Sequence, residues 1–354
     1  MKLFLPSLLL LLCSILIESC SSWTYKEMYP TLIDGRYDSE FPYRGCSTQL
    51  EQITETVKQI SVVVYYKTYV FSLDDSVTSE NISRVLMGTK LPEPTFQDHS
   101  VAGTGTIISD NNGRIALLTC AHIVDFPDTV VARYRAPDHR LTPFLHSISL
   151  KSSQTIFLNE IAGTTSLEVL AIHRDDDLAI LGQSLTAEQD ARIRVFTYPL
   201  GRAKDLEWGS FVYLFGYPSG FRMITKGIVS LSKKPPPGSF VVDAVMSPGA
   251  SGSIALAVRD GVPNFELVGI IKMFPAKTSY VLKPSWQGDD VQYDPLEPYR
   301  GDMFVEQKTE IREGIAVAIP AETILSFIQE NRHRLAQRGY DVRSWTDSPK
   351  TEPK

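Results

Sequence analysis

From Gly103 onward the chain reads as short apolar runs broken at intervals by Gly, Pro, Asp and Asn: "GTGTIIS", "IALLTCAHIV", "TVVARYR", "LEVLAIH", "LAILGQ", "SFVYLFGY", "MITKGIVSLS", "SFVVDAVM", "GSIALAV", "ELVGIIKMF" and "GIAVAIP". Each run has strand length and is rich in β-branched or aromatic residues. No helical stripe separates one from the next, so the pattern predicts an all-β barrel or sandwich rather than a parallel α/β sheet. Upstream, "ISVVVYYKTYVFSL" over 60–73 predicts another strand, and the residues that follow, through "PEPTFQDHS", read as a loop insertion with one short helix. Residues 21–50 show no apolar periodicity and read as an extension or linker with little core of its own. One helix closes the pattern: Pro320, Ala321 and Glu322 open it, Ile324, Phe327 and Ile328 form its stripe, and Gly339 stands just past its end. The tail "SWTDSPKTEPK" is polar and is predicted to be mobile.

Composition narrows the class. With 354 residues, 43% hydrophobic and 21% charged, the chain can bury a sizeable core, and disorder is not expected. The net charge of −6, with no basic block beyond Lys233 and Lys234, argues against a nucleic-acid surface. The N-terminus has one Lys followed by an apolar stretch from Leu3 to Ile17. That stretch is short of the roughly 20 residues a spanning helix needs, so it reads as a secretory signal. Ile17-Glu18-Ser19-Cys20 resembles a bacterial lipobox, which implies lipidation of Cys20 and a place in the cell envelope, at the periplasmic face or outer membrane. Simple cleavage near Ser19 or Ser22, giving a secreted protein, is the alternative. Cys46 and Cys120 remain in the mature chain, and whether they pair is open. No Cys or His cluster has metal spacing, and neither a metal nor another cofactor is expected.

Candidate chemistry rests on three stretches. "LLTCAHIV" puts His122 at a strand end, "RDDDLAIL" puts Asp177 just before a strand, and "SPGASGSIAL" sets Ser251 among glycines. Each alone has a bland reading: a structural histidine, one of three turn aspartates, a turn serine in a weak Gly-x-Ser-Gly motif. Together they run His, Asp, Ser, one of the known chain orders of a catalytic triad. A serine hydroxyl needs an imidazole to accept its proton, and the imidazole needs an acceptor to hold its tautomer. His122 is then the base and Asp177 the orienting group. Gly249 would let its own N–H and that of Ser251 converge as an oxyanion hole.

At these residues the chain resembles a chymotrypsin-fold serine protease, in particular the HtrA/Deg family. "GTGTIIS", "LLTCAHIV", "DDDLAIL", "VYLFGYPSGFRMITKGIVS", "VVDAVMSPGASGSIAL", "LVGIIKM" and "GIAVAIP" follow that family's blocks in order from about residue 60 to 325. The resemblance implies two perpendicular six-stranded antiparallel β-barrels, His122 and Asp177 on the first and Ser251 on the second, with the site in the cleft between them. It implies protein or peptide substrates and leaves open whether the chain forms a homo-oligomer. The resulting organisation is a lipoprotein-type signal over 1–19, an extension over 20–54, a protease domain over 55–330 and a helix end with tail over 331–354, the barrels spanning about 55–195 and 196–320. Ala250 and Ser253 replace the family's usual Asn and second Gly beside the nucleophile. After the closing helix only about 15 residues remain, so the PDZ domain usual in that family is not expected within this sequence.

The residue six before the nucleophile, Val245, is implied as the floor of the primary specificity pocket, with Ile270 and Ile271 on its wall, and hence a preference for small or medium aliphatic side chains. Residues 275–312, rich in Pro, Tyr, Asp and Glu, read as an unusually long loop near the expected mouth of the site, a candidate lid. An α/β-hydrolase would want Gly-x-Ser-x-Gly and the order Ser, Asp, His, which Ser253 and the chain order oppose. A protease-fold lipoprotein that only binds or scaffolds is the other alternative, since sequence does not reveal the shape of an oxyanion loop.

Overall fold

The computed structural model describes residues 33–40 and 45–347, apart from 89–90, 137–139, 162–164, 192, 231–238, 274–275, 285–295, 297–302 and 312–313. The signal-like segment, Cys20 and residues 348–354 lie outside the described residues.

The predicted strands form in two groups. The first group is β1 (Val57–Val70), β2 (Thr95–Asn111), β3 (Arg114–Cys120), β4 (Thr129–Arg135), β5 (Leu141–Leu158), β6 (Glu168–His173) and β7 (Leu178–Ser184). They pair antiparallel in the order β4-β5-β1-β2-β3-β7-β6. Along the first half of β1 the buried residues Ile60, Val62 and Val64 alternate with partly exposed ones, the period of a half-buried strand.

The second group is β8 (Phe211–Gly216), β9 (Met223–Ser230), β10 (Phe240–Ala244), β11 (Ile254–Val258), β12 (Phe265–Met273) and, after an inserted hairpin, β15 (Gly314–Pro320). These six close into a barrel in the order β10-β15-β12-β11-β8-β9. β8 and β11 are buried along their whole length, because one face fills the barrel and the other packs against its surroundings.

The all-β expectation with a C-terminal helix is met, with one difference. Barrel two is closed, but barrel one is a seven-stranded sheet curled into a half-barrel. Between β5 and the chain leading into β6 run Leu167 N–H to the Ile156 carbonyl, at 2.6 Å, and Ile156 N–H to the Ser166 hydroxyl, at 3.0 Å.

The C-terminal chain covers the side of barrel one. A helix, α2 (Ala321–Gln337), buries Ile324, Phe327, Ile328 and Leu335 and ends at Gly339, whose φ is +85°. Beyond it the described start of the tail, residues 344–347, is held by one aromatic side chain. Trp345 is only 7% exposed, and its indole N–H donates to the Ile108 carbonyl at 2.8 Å. One large aromatic with a satisfied polar edge anchors an otherwise polar segment.

Three other segments differ from the expectation. Residues Ser47–Thr56 form a helix, α1, with Ile53 fully buried, and further upstream Tyr37 and Cys46 are buried as well. The supposed loop insertion supplies the first six residues of β2. Within 275–312, β13 (Ala276–Pro284) and β14 (Met303–Ile311) pair as a hairpin, so much of this segment is a β-ribbon.

Candidate active site

β3 ends at Cys120 and passes directly into the helical turn Ala121–Val124, which carries His122. Three bonds tie this turn to one aspartate. Ala121 N–H donates to the Asp177 carbonyl at 3.1 Å, His122 N–H donates to Asp177 Oδ1 at 2.8 Å, and His122 Nδ1 lies 2.7 Å from Asp177 Oδ2. Asp177 closes the β6–β7 turn at a φ of +58°, a left-handed conformation that Asp tolerates better than most residues. The neighbouring acids are distinguished by their partners: Asp176 pairs with His173 at 3.0 Å, and Arg174 forks onto Asp125. A carboxylate on Nδ1 leaves Nε2 as the basic nitrogen of a neutral ring.

Ser251 lies between β10 and β11, half-buried, in a loop whose successive peptide planes are each fixed by a hydrogen bond. The Pro248 carbonyl accepts from Ser219 N–H at 2.7 Å. The Gly249 carbonyl accepts from the Thr104 hydroxyl at 2.8 Å. The Ala250 carbonyl accepts from Ser253 N–H at 2.9 Å, and the Ser251 carbonyl from Thr104 N–H at 2.8 Å. Ala250 and Gly252 spend their own N–H groups on the Ser247 and Ile271 carbonyls. Those of Gly249 and Ser251 have no acceptor among the described residues.

Gly249 and Gly252 have φ of +96° and +88°, and neither has room for a side chain. A Cβ at Gly249 would come within 2.5 Å of the Tyr217 carbonyl, and one at Gly252 within 1.9 Å of the Thr104 carbonyl. Both glycines are therefore dictated by the close approach of other backbone as well as by their dihedrals.

The two remaining cysteines do not pair. Both are free and buried, Cys46 beside the Tyr213 hydroxyl and Cys120 donating to the Ile271 carbonyl at 3.3 Å. Burial first, and then the nearby Asp177 charge, push the Cys120 thiol well above its ordinary range. Ligand atoms of Cys120, His122 and Asp177 come within 4.8 Å of one another, the nearest approach to a cation-binding set among the described residues. Its sulfur is a protonated, fully buried thiol already engaged by backbone.

Of the three residues expected at the specificity pocket, one is exposed and two are buried. Val245, just past β10, is 73% exposed. Ile270 and Ile271 are both fully buried and lie in different cores, Ile270 in the one shared with barrel one and Ile271 inside barrel two. Neighbours on a strand point to opposite faces, which is why these two successive side chains enter separate cores. Thr104 and Ser219, whose bonds hold the Ser251 loop, were not singled out by sequence reasoning. Their signal is the pair of motifs "GTGT" and "GYPSG", which the sequence presents only as a strand and a family block.

A half-barrel and a closed barrel, with an Asp-oriented histidine on one and a glycine-bracketed serine on the other, define a chymotrypsin-like architecture. Residues 103–270 match the trypsin-like peptidase domain family, a span that holds His122, Asp177 and Ser251 together. A comparison with curated proteins finds no match.

Proposed function

We propose that this chain is a serine endopeptidase of the cell envelope, similar to HtrA proteases, that cleaves peptide bonds through an acyl-enzyme. The observation that carries this reading is the 2.7 Å contact of His122 Nδ1 with an Asp177 carboxylate that also binds the His122 backbone. Nε2 of His122 takes the proton of the Ser251 hydroxyl as its oxygen attacks the peptide carbonyl. The oxyanion so formed accepts from the unspent N–H groups of Gly249 and Ser251. His122 returns the proton to the leaving amine, and a water then repeats the sequence on the ester. Export and lipid attachment at Cys20 are supported by the signal-like N-terminus.

One preparation tests both parts. Mature protein exposed to a fluorophosphonate probe is expected to be labelled at Ser251, while the Ser251→Ala and His122→Ala variants are not. Mass spectrometry of the same material is expected to find a lipid-modified peptide beginning at Cys20. An unlabelled parent chain overturns the enzymatic reading in favour of a binding role. An unmodified N-terminus at Ser21 or beyond overturns the lipid anchor alone.

A further inference from the structure

The "GTGT" motif has no role in the chemistry so far, yet its first threonine is the most connected side chain beside the serine loop. Thr104 is fully buried in β2, on barrel one, at the contact between the barrels. Its hydroxyl donates to the Gly249 carbonyl at 2.8 Å and accepts from Tyr217 N–H at 3.0 Å. Its N–H donates to the Ser251 carbonyl at 2.8 Å, and its carbonyl accepts the Thr119 hydroxyl at 2.7 Å.

Glycines surround this residue along β2 and across the barrel contact. Added Cβ atoms on its flanking neighbours would meet Ile123 at 2.4 Å from Gly103 and Ile60 at 2.5 Å from Gly105. Across the barrel contact, Gly252 and Gly216 would meet the Thr104 carbonyl and hydroxyl at 1.9 and 3.1 Å.

We infer that Thr104 is a positioning residue: its hydroxyl locks the peptide after Gly249 and so keeps the Gly249 N–H presented for the oxyanion. A glycine at a φ of +96° has no Cβ to oppose rotation of either flanking peptide. On the N-terminal side Ser219 N–H holds the Pro248 carbonyl. On the C-terminal side the Thr104 hydroxyl is the only side-chain group bound to the peptide among the described residues, assisted by the Ala250 N–H bond to Ser247. A hydroxyl has one proton to give, and Thr104 gives it to this carbonyl while satisfying Tyr217 with a lone pair. Without it, a buried carbonyl and a buried N–H are both left unpaired, and rotation of the Gly249 peptides becomes a way to relieve them.

The inference rests on the enzymatic reading, and the test separates the two. Thr104→Val keeps the shape and removes the hydroxyl, while Thr104→Ser keeps the hydroxyl. Steady-state hydrolysis of a peptide substrate is compared with the rate of fluorophosphonate labelling. Thr104→Val is expected to lower kcat and the labelling rate together by about 10²-fold, the usual loss for one oxyanion donor. KM and the pH dependence set by His122 should stay unchanged, and Thr104→Ser should stay within a few-fold of the parent. If Thr104→Val does not fold, Thr104→Ala against Thr104→Ser isolates the same hydroxyl. Equal kcat with and without the hydroxyl, a loss confined to KM, or a displaced pH profile overturns the inference while the enzymatic reading stands. A parent chain inert to the probe overturns both.

Discussion

Barrel one holds His122 and Asp177 with bonds made inside itself, joining the start of the His122 turn to the end of the β6–β7 turn. The Ser251 loop of barrel two is held in part from outside, since Thr104 of barrel one fixes the peptides after Gly249 and Ser251. The closed barrel thus carries the loop that depends on its neighbour, and the half-barrel carries the self-contained pair. Closure does not by itself order a glycine-rich loop, whose backbone has low barriers to rotation. A side chain already buried in the adjoining sheet supplies the order at little further entropic cost. The half-barrel, for its part, relies on the C-terminal helix and Trp345 to cover its side.

Breaking each side tests this contrast. The largest effect is expected at the self-contained pair. Asp177→Asn removes the acceptor that sets the His122 tautomer and should lower kcat by about 10⁴-fold. It should leave the unfolding transition close to that of the parent, which steady-state hydrolysis and thermal melts together will check. The next tests the covering of barrel one. Trp345→Ala deletes a buried indole and its bond to Ile108 and should cost about 3–5 kcal/mol, read from urea unfolding. A loss below about 1 kcal/mol would show that the half-barrel does not need its C-terminal cover.

The smallest effect is expected at the segment that joins one end of barrel two, where β8 starts and β11 finishes. Asp38 donates its N–H to Val258 and accepts from Phe211 N–H, and burial pushes its carboxyl from 3.8 up to about 6 despite a hydrogen bond from Gly261. The folded state therefore keeps a proton that the unfolded chain releases, and this contribution is lost as pH rises from about 3.8 through about 6. Asp38→Asn should be increasingly favoured over the parent across that window. The gain should reach about 1 kcal/mol, since the site is only half-buried and screened by solvent. Melting temperatures of both proteins at pH 4 and pH 6.5 measure it, and a constant difference between them would remove the assignment.

Much of the fold was legible because it is written locally. Runs such as "FVYLFG" and "IALAV" are apolar enough to be strands wherever they fall, and the helix carries its stripe and its terminal glycine within its own residues. β5 was not legible. Its 18 residues include Pro143 and the polar run Lys151-Ser152-Ser153-Gln154, and its strand character comes from pairing with β1 and β4 on either side. The same holds for the first six residues of β2, exposed on both faces yet paired along β1.

For the candidate site, the sequence alone determined which residue types are available and in what order, because a His, Asp, Ser series beside glycines is a chemical pattern that survives without coordinates. Tertiary structure decided that Asp177 grips both the ring and the backbone of His122, that Val245 is exposed while Ile270 and Ile271 turn into separate cores, and that Thr104 reaches Gly249 from 145 positions away in the chain. Those outcomes depend on hydrogen bonds between distant backbones. Their geometry is set by how two sheets pack, and no local run of residues encodes it.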